Sequence, residues 1–317
     1  MKTVAITGAD GFLGTQLCSS LESLGYGVRR LVRRPAGEGA DRRVITDLTD
    51  VAGLADVLHG TDVAIHLAAR AHVMRETGSD VDAAFRRVNV DGTTSLCAAA
   101  ARSAVQRIVF VSSIGVNGAS TDAKPFTEAD TPNPTEPYAH SKWQAELALR
   151  ECCRSAGLQW VVVRPPLIYG PDVKGNFLRL LNLARSGIPL PLASIANRRN
   201  LIGVRNLSDL LILCMESAAA VGQIYLAAEP ETHSTAGLVR ALCRHLGRPD
   251  RIFAMPQVLL RALVGVIGVE SQFNKLCGSL EVCSDKARSE LSWTPRVSFD
   301  EEIARTTAWY LRARADA

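Results

Sequence analysis

At 317 residues and 34.1 kDa, with 47% hydrophobic and 21% charged residues, the chain can bury a sizeable core as one large domain or two closely joined ones, with the composition of a soluble globular enzyme. A net charge of +4, with no basic run interleaved with aromatics, argues against a nucleic-acid partner. The eight cysteines show no Cys-x-x-Cys spacing, so no structural zinc is expected, and buried thiols in a reducing cytoplasm are.

Lys2 to Thr7 reads as a short, buried parallel strand at the very start, with no leader peptide before it. It feeds Gly8-Ala9-Asp10-Gly11-Phe12-Leu13-Gly14 and an amphipathic helix to about Leu24. Placed between a first strand and a first helix, the glycines serve a tight turn, close approach of a pyrophosphate, and close packing of helix on strand. The helix start, with Phe12 and Leu13 in its first turn, would meet the phosphates with open N–H groups and its positive dipole end. A second strand, about Gly27 to Val32, ends in Leu31-Val32-Arg33-Arg34, where NAD-binding proteins carry a carboxylate for the adenosine ribose. Arg33 and Arg34 suit a 2′-phosphate instead, so NADP(H) is expected ahead of NAD(H); otherwise both guanidiniums merely face solvent. Asp47-Leu48, after a third strand, are candidates to cap the adenine. Leu67-Ala68-Ala69, after a fourth strand at Val63 to His66, offer small side chains where the cofactor passes.

One long helix is expected over about 80–103, and within it Asn89 is either a surface residue or an internal hydrogen-bonding link near the site. The strand at 106–111 ends in Ser112-Ser113, hydroxyls at the carboxyl end of a central strand, where doubly wound sheets bind ligands. Residues 119–137 form a polar loop whose prolines forbid helix. Tyr138-Ala139-His140-Ser141-Lys142 then opens a helix, and the i, i+4 spacing puts the Lys142 ammonium near the Tyr138 phenol. A phenol of pKa about 10 is expected to fall by roughly 1 to 3 units beside a cation, which would let Tyr138 exchange a proton near neutral pH. A strand at 159–163 precedes Arg164-Pro165-Pro166-Leu167. This alternation calls for an α/β fold, a doubly wound parallel (Rossmann) sheet with helices on both faces, forming a dinucleotide-binding domain over 1–170. Beyond it, short helices (about 175–186, 207–219, 234–247, 257–267, 300–314) and strands near 201–204 and 223–226 read as a smaller α/β substrate-binding domain, mainly 171–317; residues 200–227 either belong to it or return to the sheet. The apolar run Val258 to Val269 carries Arg261 and is too short to span a bilayer. It reads as a packed helix, or as a membrane-surface or partner-binding one.

Taken together, Gly8-x-x-Gly11-x-x-Gly14, Ser113, Tyr138 and Lys142, with 25 positions from Ser113 to Tyr138, resemble the extended short-chain dehydrogenase/reductase family of nucleotide-sugar epimerases, dehydratases and reductases. The likeness extends to Asn89-Val90-Asp91-Gly92-Thr93, Arg164-Pro165, Tyr169-Gly170-Pro171 and Leu291-Ser292-Trp293-Thr294-Pro295. The resemblance implies that Tyr138 is the general acid/base and that Lys142 holds the nicotinamide ribose and lowers the tyrosine pKa. It further implies that Ser113, with Ser112 as its alternative, bonds the reacting sugar oxygen, that Asn176 and Arg199 hold the nucleotide diphosphate, that Asn89 and Pro165 lie at the cofactor, and that the enzyme is a homodimer. Ile114-Gly115 stands where 4,6-dehydratases carry an Asp-Glu pair, which argues against water elimination. Leu167 and Asn117 replace an asparagine and a tyrosine of the sugar pocket, and Cys283 an aspartate near the uridine. The remaining motifs most resemble reductases of a UDP-4-keto-6-deoxy-N-acetylhexosamine in bacterial O-antigen or other surface-polysaccharide synthesis. That reduction at sugar C4 is the expected activity. The alternatives are a UDP-sugar 4-epimerase with tightly bound NAD and, from another class, a non-catalytic NADP-binding sensor.

Overall fold

The computed structural model describes residues 1–34, 41–71, 79–256, 259–260 and 277–315; the helix expected over 257–267 lies outside these apart from Leu259 and Leu260. Ten strands occur among the described residues: β1 Thr3–Thr7, β2 Gly27–Val32, β3 Arg42–Val44, β4 Val63–His66, β5 Arg107–Val111, β6 Gln159–Arg164, β7 Leu167–Tyr169, β8 Arg199–Gly203, β9 Gln223–Leu226 and β10 Thr232–His233. The α-helices among the described residues are α1 Phe12–Ser23, α2 Val51–Leu58, α3 Ser79–Phe85, α4 Gly92–Arg102, α5 Pro137–Ala156, α6 Gly175–Ser186, α7 Val204–Glu216, α8 Thr235–His245, α9 Asp285–Leu291 and α10 Phe299–Ala315.

Seven strands form one parallel sheet in the order β3-β2-β1-β4-β5-β6-β9. Its central strands are apolar on both faces because helices cover both. Val4, Ile6, Val109 and Val161 pack with Leu17 and Leu21 of α1 and Leu207 and Leu211 of α7. Ala5, Ile108, Phe110 and Val162 pack on the other side with Leu54 of α2, Leu96 of α4 and Leu149 of α5. The chain runs outward from β1 in opposite directions, to β2 and to β4, so a crevice opens at the carboxyl ends of β1 and β4, the ligand-binding place of such sheets. β10, β8 and β7 make a second, three-stranded sheet, backed by an apolar cluster from α6, α8 and α10 that includes Phe177, Leu181, Leu242 and Ile303. β9 returns to the large sheet beside β6, whereas β8 pairs with β7.

Two local expectations give way. The single helix over 80–103 is α3 and α4 joined by a π-helical turn, Arg86–Asp91, which carries Asn89. Pro137, expected in the loop, is the first residue of α5, where its missing N–H would have had no intrahelical partner and its fixed φ suits a helix. Short elements such as β7, β10 and α9 are too brief to leave a periodic signal. Among the described residues, no helix is long and apolar enough to cross a membrane.

Candidate active site

The glycine-rich loop has the shape a pyrophosphate requires. Gly8 has φ +70, and a Cβ on it would sit 3.0 Å from the Ala68 nitrogen and 3.2 Å from the Leu67 carbonyl carbon. A Cβ at Gly14 would overlap the Gly8 carbonyl oxygen and lie 2.8 Å from the Ala9 backbone, so α1 packs on the loop only with glycine there. Gly11 differs: a Cβ on it would meet the Gly8 oxygen at 3.0 Å and otherwise nothing within 4 Å, which leaves the approach to α1 clear. Gly11 is the N-cap without a side-chain cap, so the first-turn amides of α1 are available to an anion. Leu13 is buried in the core, and Phe12 packs against both apolar clusters, so in these two residues it is the backbone that faces a phosphate. A dinucleotide diphosphate fits this cradle.

At the adenosine end, Arg33 and Arg34 follow β2 and are exposed. The carboxylates nearby are engaged: Asp10 takes both oxygens to Arg42 Nη2, at 2.7 and 2.8 Å, and Asp41 holds Arg29 and Arg43. Asp47 accepts from the Thr49 amide and hydroxyl and from Arg87, which together hold its carboxyl down at about 2. Leu48 lies against Gly92, where a Cβ would come within 3.1 Å of it. Leu67, Ala68 and Ala69 follow β4 at the crevice, Leu67 and Ala68 half-buried and Ala69 exposed.

Asn89 is an internal link. Its Oδ1 accepts from the Arg70 amide (2.8 Å), and its Nδ2 donates to the Arg70 carbonyl (3.1 Å) and to Ser141 Oγ (2.8 Å). Ser141 in turn donates to the Tyr138 carbonyl (2.7 Å). The π-turn therefore ties the chain beyond β4 to the first turn of α5, with the amide side chain of Asn89 fully engaged by protein.

Ser112 and Ser113 divide their tasks. Ser113, half-buried, caps a short 3₁₀ turn at Ile114–Val116 by accepting from the Gly115 amide (3.1 Å). Ser112 Oγ is buried without a hydrogen-bond partner among the described residues. A Cβ on Gly115 would lie 3.2 Å from Ala139 Cβ and 3.4 Å from Ser113 Oγ, so the glycine lets Ser113 come against the start of α5. Pro165 is buried, and its carbonyl accepts from the Ile114 amide (2.9 Å), bracing the same turn.

The geometry overturns the expected action of Lys142 on Tyr138. The ammonium stands 3.9 Å over the Phe110 ring centroid, in a side chain 1% exposed, and makes no hydrogen bond among the described residues. The phenol is not lowered: burial pushes Tyr138 up to about 12, with no lysine charge opposing it. Burial brings Lys142 down to about 7 against the upward pull of Glu146. Spacing on one helix face thus does not make them an ion pair: Tyr138 lies by Phe85 and Lys142 over Phe110. The Lys142 ammonium and the Ser112 hydroxyl are thus polar groups with no hydrogen-bond partner among the described residues.

Behind them lie residues that sequence reasoning passed over. Glu146, one turn beyond Lys142, is sealed from solvent and grips Arg164 at 2.9 and 2.6 Å. Arg164 also donates to Asn117 Oδ1 (2.9 Å), and Asn117 donates to the Thr127 carbonyl (3.0 Å). Asn117, expected in the sugar pocket, is therefore a buried strut. His66, at the end of β4, is likewise sealed; burial and the Lys142 charge bring it down to about 3. The i, i+4 step from Lys142 to Glu146 and the place of His66 at the switch point were the signals available.

Asn176 and Arg199 are not joined to this group by any described contact. Asn176 is exposed in the first turn of α6, and Arg199 on β8 donates to the Gly278 carbonyl (2.7 Å).

Residues 4–228 match the model of the NAD dependent epimerase/dehydratase family. The chain is 34% identical to a UDP-glucose 4-epimerase of Vibrio cholerae over 318 residues, covering 98% of this chain and 96% of the relative. Among solved structures, it resembles a UDP-glucose 4-epimerase of Thermotoga maritima crystallised with UDP-glucose (TM-score 0.80, 20% identity, 98% of this chain and 99% of that one). It also resembles a UDP-glucuronic acid 4-epimerase of Bacillus cereus in complex with NAD (TM-score 0.79, 18% identity, 98% and 99%). With a cradle for a dinucleotide beside a tyrosine–lysine helix, and with this match across most of its length, the chain belongs to the NAD-dependent epimerase/dehydratase family, the extended short-chain dehydrogenases.

Proposed function

We propose that the protein inverts C4 of the hexose in a UDP-sugar, as a 4-epimerase that keeps its NAD through the cycle. The observation that supports this is that the turn after Ser113, which meets the start of α5 at Ala139, carries Ile114 and Gly115 and no carboxylate, leaving Tyr138 with Lys142 as the acid/base group of this reading. Hydride transfer at one carbon needs one proton shuttle, whereas water elimination needs further acid and base groups that this turn does not carry. The likeness to the Vibrio cholerae enzyme over nearly the whole chain supports epimerisation.

When bound, the nicotinamide would supply a hydride acceptor that returns the hydride and, in its oxidised form, a positive charge that would favour the ionised phenol. As the phenolate, Tyr138 takes the proton of the C4 hydroxyl, becoming the neutral phenol, and gives it back once the 4-keto sugar has turned its other face. Lys142 directs its free donors at the ribose hydroxyls. Ser113 donates to the C4 oxygen, with Ser112 as its less favoured alternative. Asn176 and Arg199 hold the UDP diphosphate, residues 171–317 being mainly the substrate-binding part. The eight free thiols fit a cytoplasmic enzyme making precursors of a surface polysaccharide, and a homodimer belongs to the same reading.

The test is to denature freshly purified protein, quantify the dinucleotide released, and follow UDP-glucose and UDP-N-acetylglucosamine by proton NMR. About one NAD per chain and growth of the C4 epimer are expected. No epimer from either sugar would refute the assignment.

A second reading, reduction of a UDP-4-keto-6-deoxy-N-acetylhexosamine by NADPH, is favoured by one observation: Arg33 and Arg34 are exposed at the end of β2, and the neighbouring carboxylates Asp10 and Asp41 are engaged elsewhere. Replacing both arginines by alanine should then weaken NADP more than NAD in a binding titration, and equal losses would remove this reading.

A further inference from the structure

We propose that His66 is a positioning residue for Tyr138 and Lys142, a neutral imidazole held in one tautomer that couples the dinucleotide loop to the first turn of α5. The proposal rests on the reading of those two residues as the acid/base pair.

The tautomer follows from the partners. The Thr93 hydroxyl donates to the Asn89 carbonyl (2.6 Å), so its oxygen is left to accept from His66 Nε2, 3.1 Å away. Nε2 therefore carries the proton. Nδ1 then has only a lone pair, and the Thr7 hydroxyl, 2.6 Å from it, is the donor. Thr7 Oγ1 accepts in its turn from the Ala68 amide (3.1 Å), in the segment that packs on Gly8. Donation thus runs in one direction: Ala68 to Thr7, Thr7 to His66, His66 to Thr93, Thr93 to the Asn89 carbonyl. The relay ends at that carbonyl, on the residue whose side chain separately donates to Ser141, which donates to the Tyr138 carbonyl, so Asn89 is the hinge between the two sets of bonds. Chains in which each group both donates and accepts polarise one another and resist rotation of any member.

A second route reaches Lys142. The His66 ring lies 5.5 Å from Phe110, centroid to centroid, and Phe110 is the ring over which the ammonium stands. Thr7 from β1, Phe110 from β5 and Thr93 from α4 surround the imidazole, and Lys142 from α5 is the charge that acts on it among the described residues. A protonated His66 would face that cation and lose the acceptor that Thr7 uses, so the site is built for the neutral form.

The test pairs two substitutions with a direct view of the ring. In ¹⁵N–¹H NMR of the wild type, His66 should carry its proton on Nε2 and stay neutral between about pH 5 and pH 8. A proton on Nδ1, or titration near the usual value of about 6.5, would overturn the proposal. His66→Leu should lower kcat by on the order of 10-fold to 100-fold, with KM and dinucleotide affinity changed less than about threefold. His66→Gln, whose amide can donate to Thr93 and accept from Thr7, should restore most of kcat. An unchanged kcat in His66→Leu, or no rescue by glutamine, would refute the positioning role. Should His66→Leu fail to fold, Thr93→Val removes one link and carries the same expectation. Should no UDP-sugar be turned over by the wild type, only the assigned activity fails. The coupling is then judged by the Tyr138 and Ser141 amide resonances, which should move in His66→Leu and hold in His66→Gln; resonances unmoved in both would overturn it.

Discussion

Replacing Glu146 with leucine tests how the buried charges behind the site are balanced. The carboxylate is fully sealed from solvent, as is the Arg164 guanidinium that it grips through Nε and Nη2. Leucine fills much of the volume but leaves Arg164 with the Asn117 oxygen as its remaining described hydrogen-bond partner, beside the Trp143 ring at 5.7 Å. Loss of two charge-assisted bonds, at about 1.5 to 3 kcal/mol each, agrees with the roughly 3 to 5 kcal/mol for breaking one side of a buried ion pair. Set against a total stability of about 5 to 15 kcal/mol, this is a large fraction, and urea unfolding at constant m should show it directly. The double variant Glu146→Leu with Arg164→Met removes the orphaned charge and should return to within about 1 kcal/mol of wild type, because apolar pairs of similar volume replace buried ion pairs at little loss. Activity should not return with it. Glu146 pulls Lys142 upward against burial, so without it the ammonium falls below about 7 and is lost at lower pH. The basic limb of the pH–rate profile should therefore move down in both variants. A single variant within about 1 kcal/mol of wild type, or a basic limb that stays in place, would refute this account.

Tyr138→Phe should leave dinucleotide affinity nearly intact and lower kcat by about 10²-fold or more; steady-state kinetics beside a binding titration decide it. Gly14→Ala should weaken NAD binding at least about 10-fold in a fluorescence titration, because its Cβ meets the backbone of Gly8 and Ala9 and not a side chain that can swing away; full affinity would mean that the loop tolerates displacement. His66 stays neutral in the folded chain down to about 3, while its ordinary value is 6.5. Below pH 6.5 the unfolded chain binds the extra proton, so stability falls as pH falls, by about 2 kcal/mol between pH 6.5 and pH 5. His66→Gln should lack that part of the acid slope when denaturant midpoints at the two pH values are compared, and equal slopes would place His66 in solvent.

The elements bearing the cofactor were legible because each signal was local. A β-branched strand, three glycines and an amphipathic helix allow one reading of residues 3–23, and a parallel sheet flanked by helices follows from the alternation of strand and helix, whereas its strand order does not. The Tyr138–Lys142 spacing gave their common helix face correctly and their electrostatics wrongly. The i, i+4 rule fixes direction but knows nothing of burial, which dominates both groups here. Asn89 was left open between surface and interior because a π-turn, not a regular helix, aims it, and no propensity scale marks that turn. Glu146, Arg164, Asn117 and His66 stayed hidden because each acts through a partner distant in sequence, 47 positions away for Arg164 and Asn117 and 59 for Thr7 and His66.

The placement of β9 bears on how the chain folds as it is made. The sheet is not complete when β6 ends at Arg164; its last strand arrives about sixty residues later, after β7, α6, β8 and α7 have been laid down. At synthesis rates of about 5 to 20 residues per second, β6 is an open edge for several seconds on the ribosome, exposing unpaired backbone to other nascent chains. The family match ends at residue 228, just past that strand. A fragment cut at Gly170 would keep the glycine loop, Tyr138 and Lys142 yet leave β6 as an unpaired edge permanently, so it should aggregate, whereas the shortest fragment with all seven strands of the parallel sheet runs through Leu226.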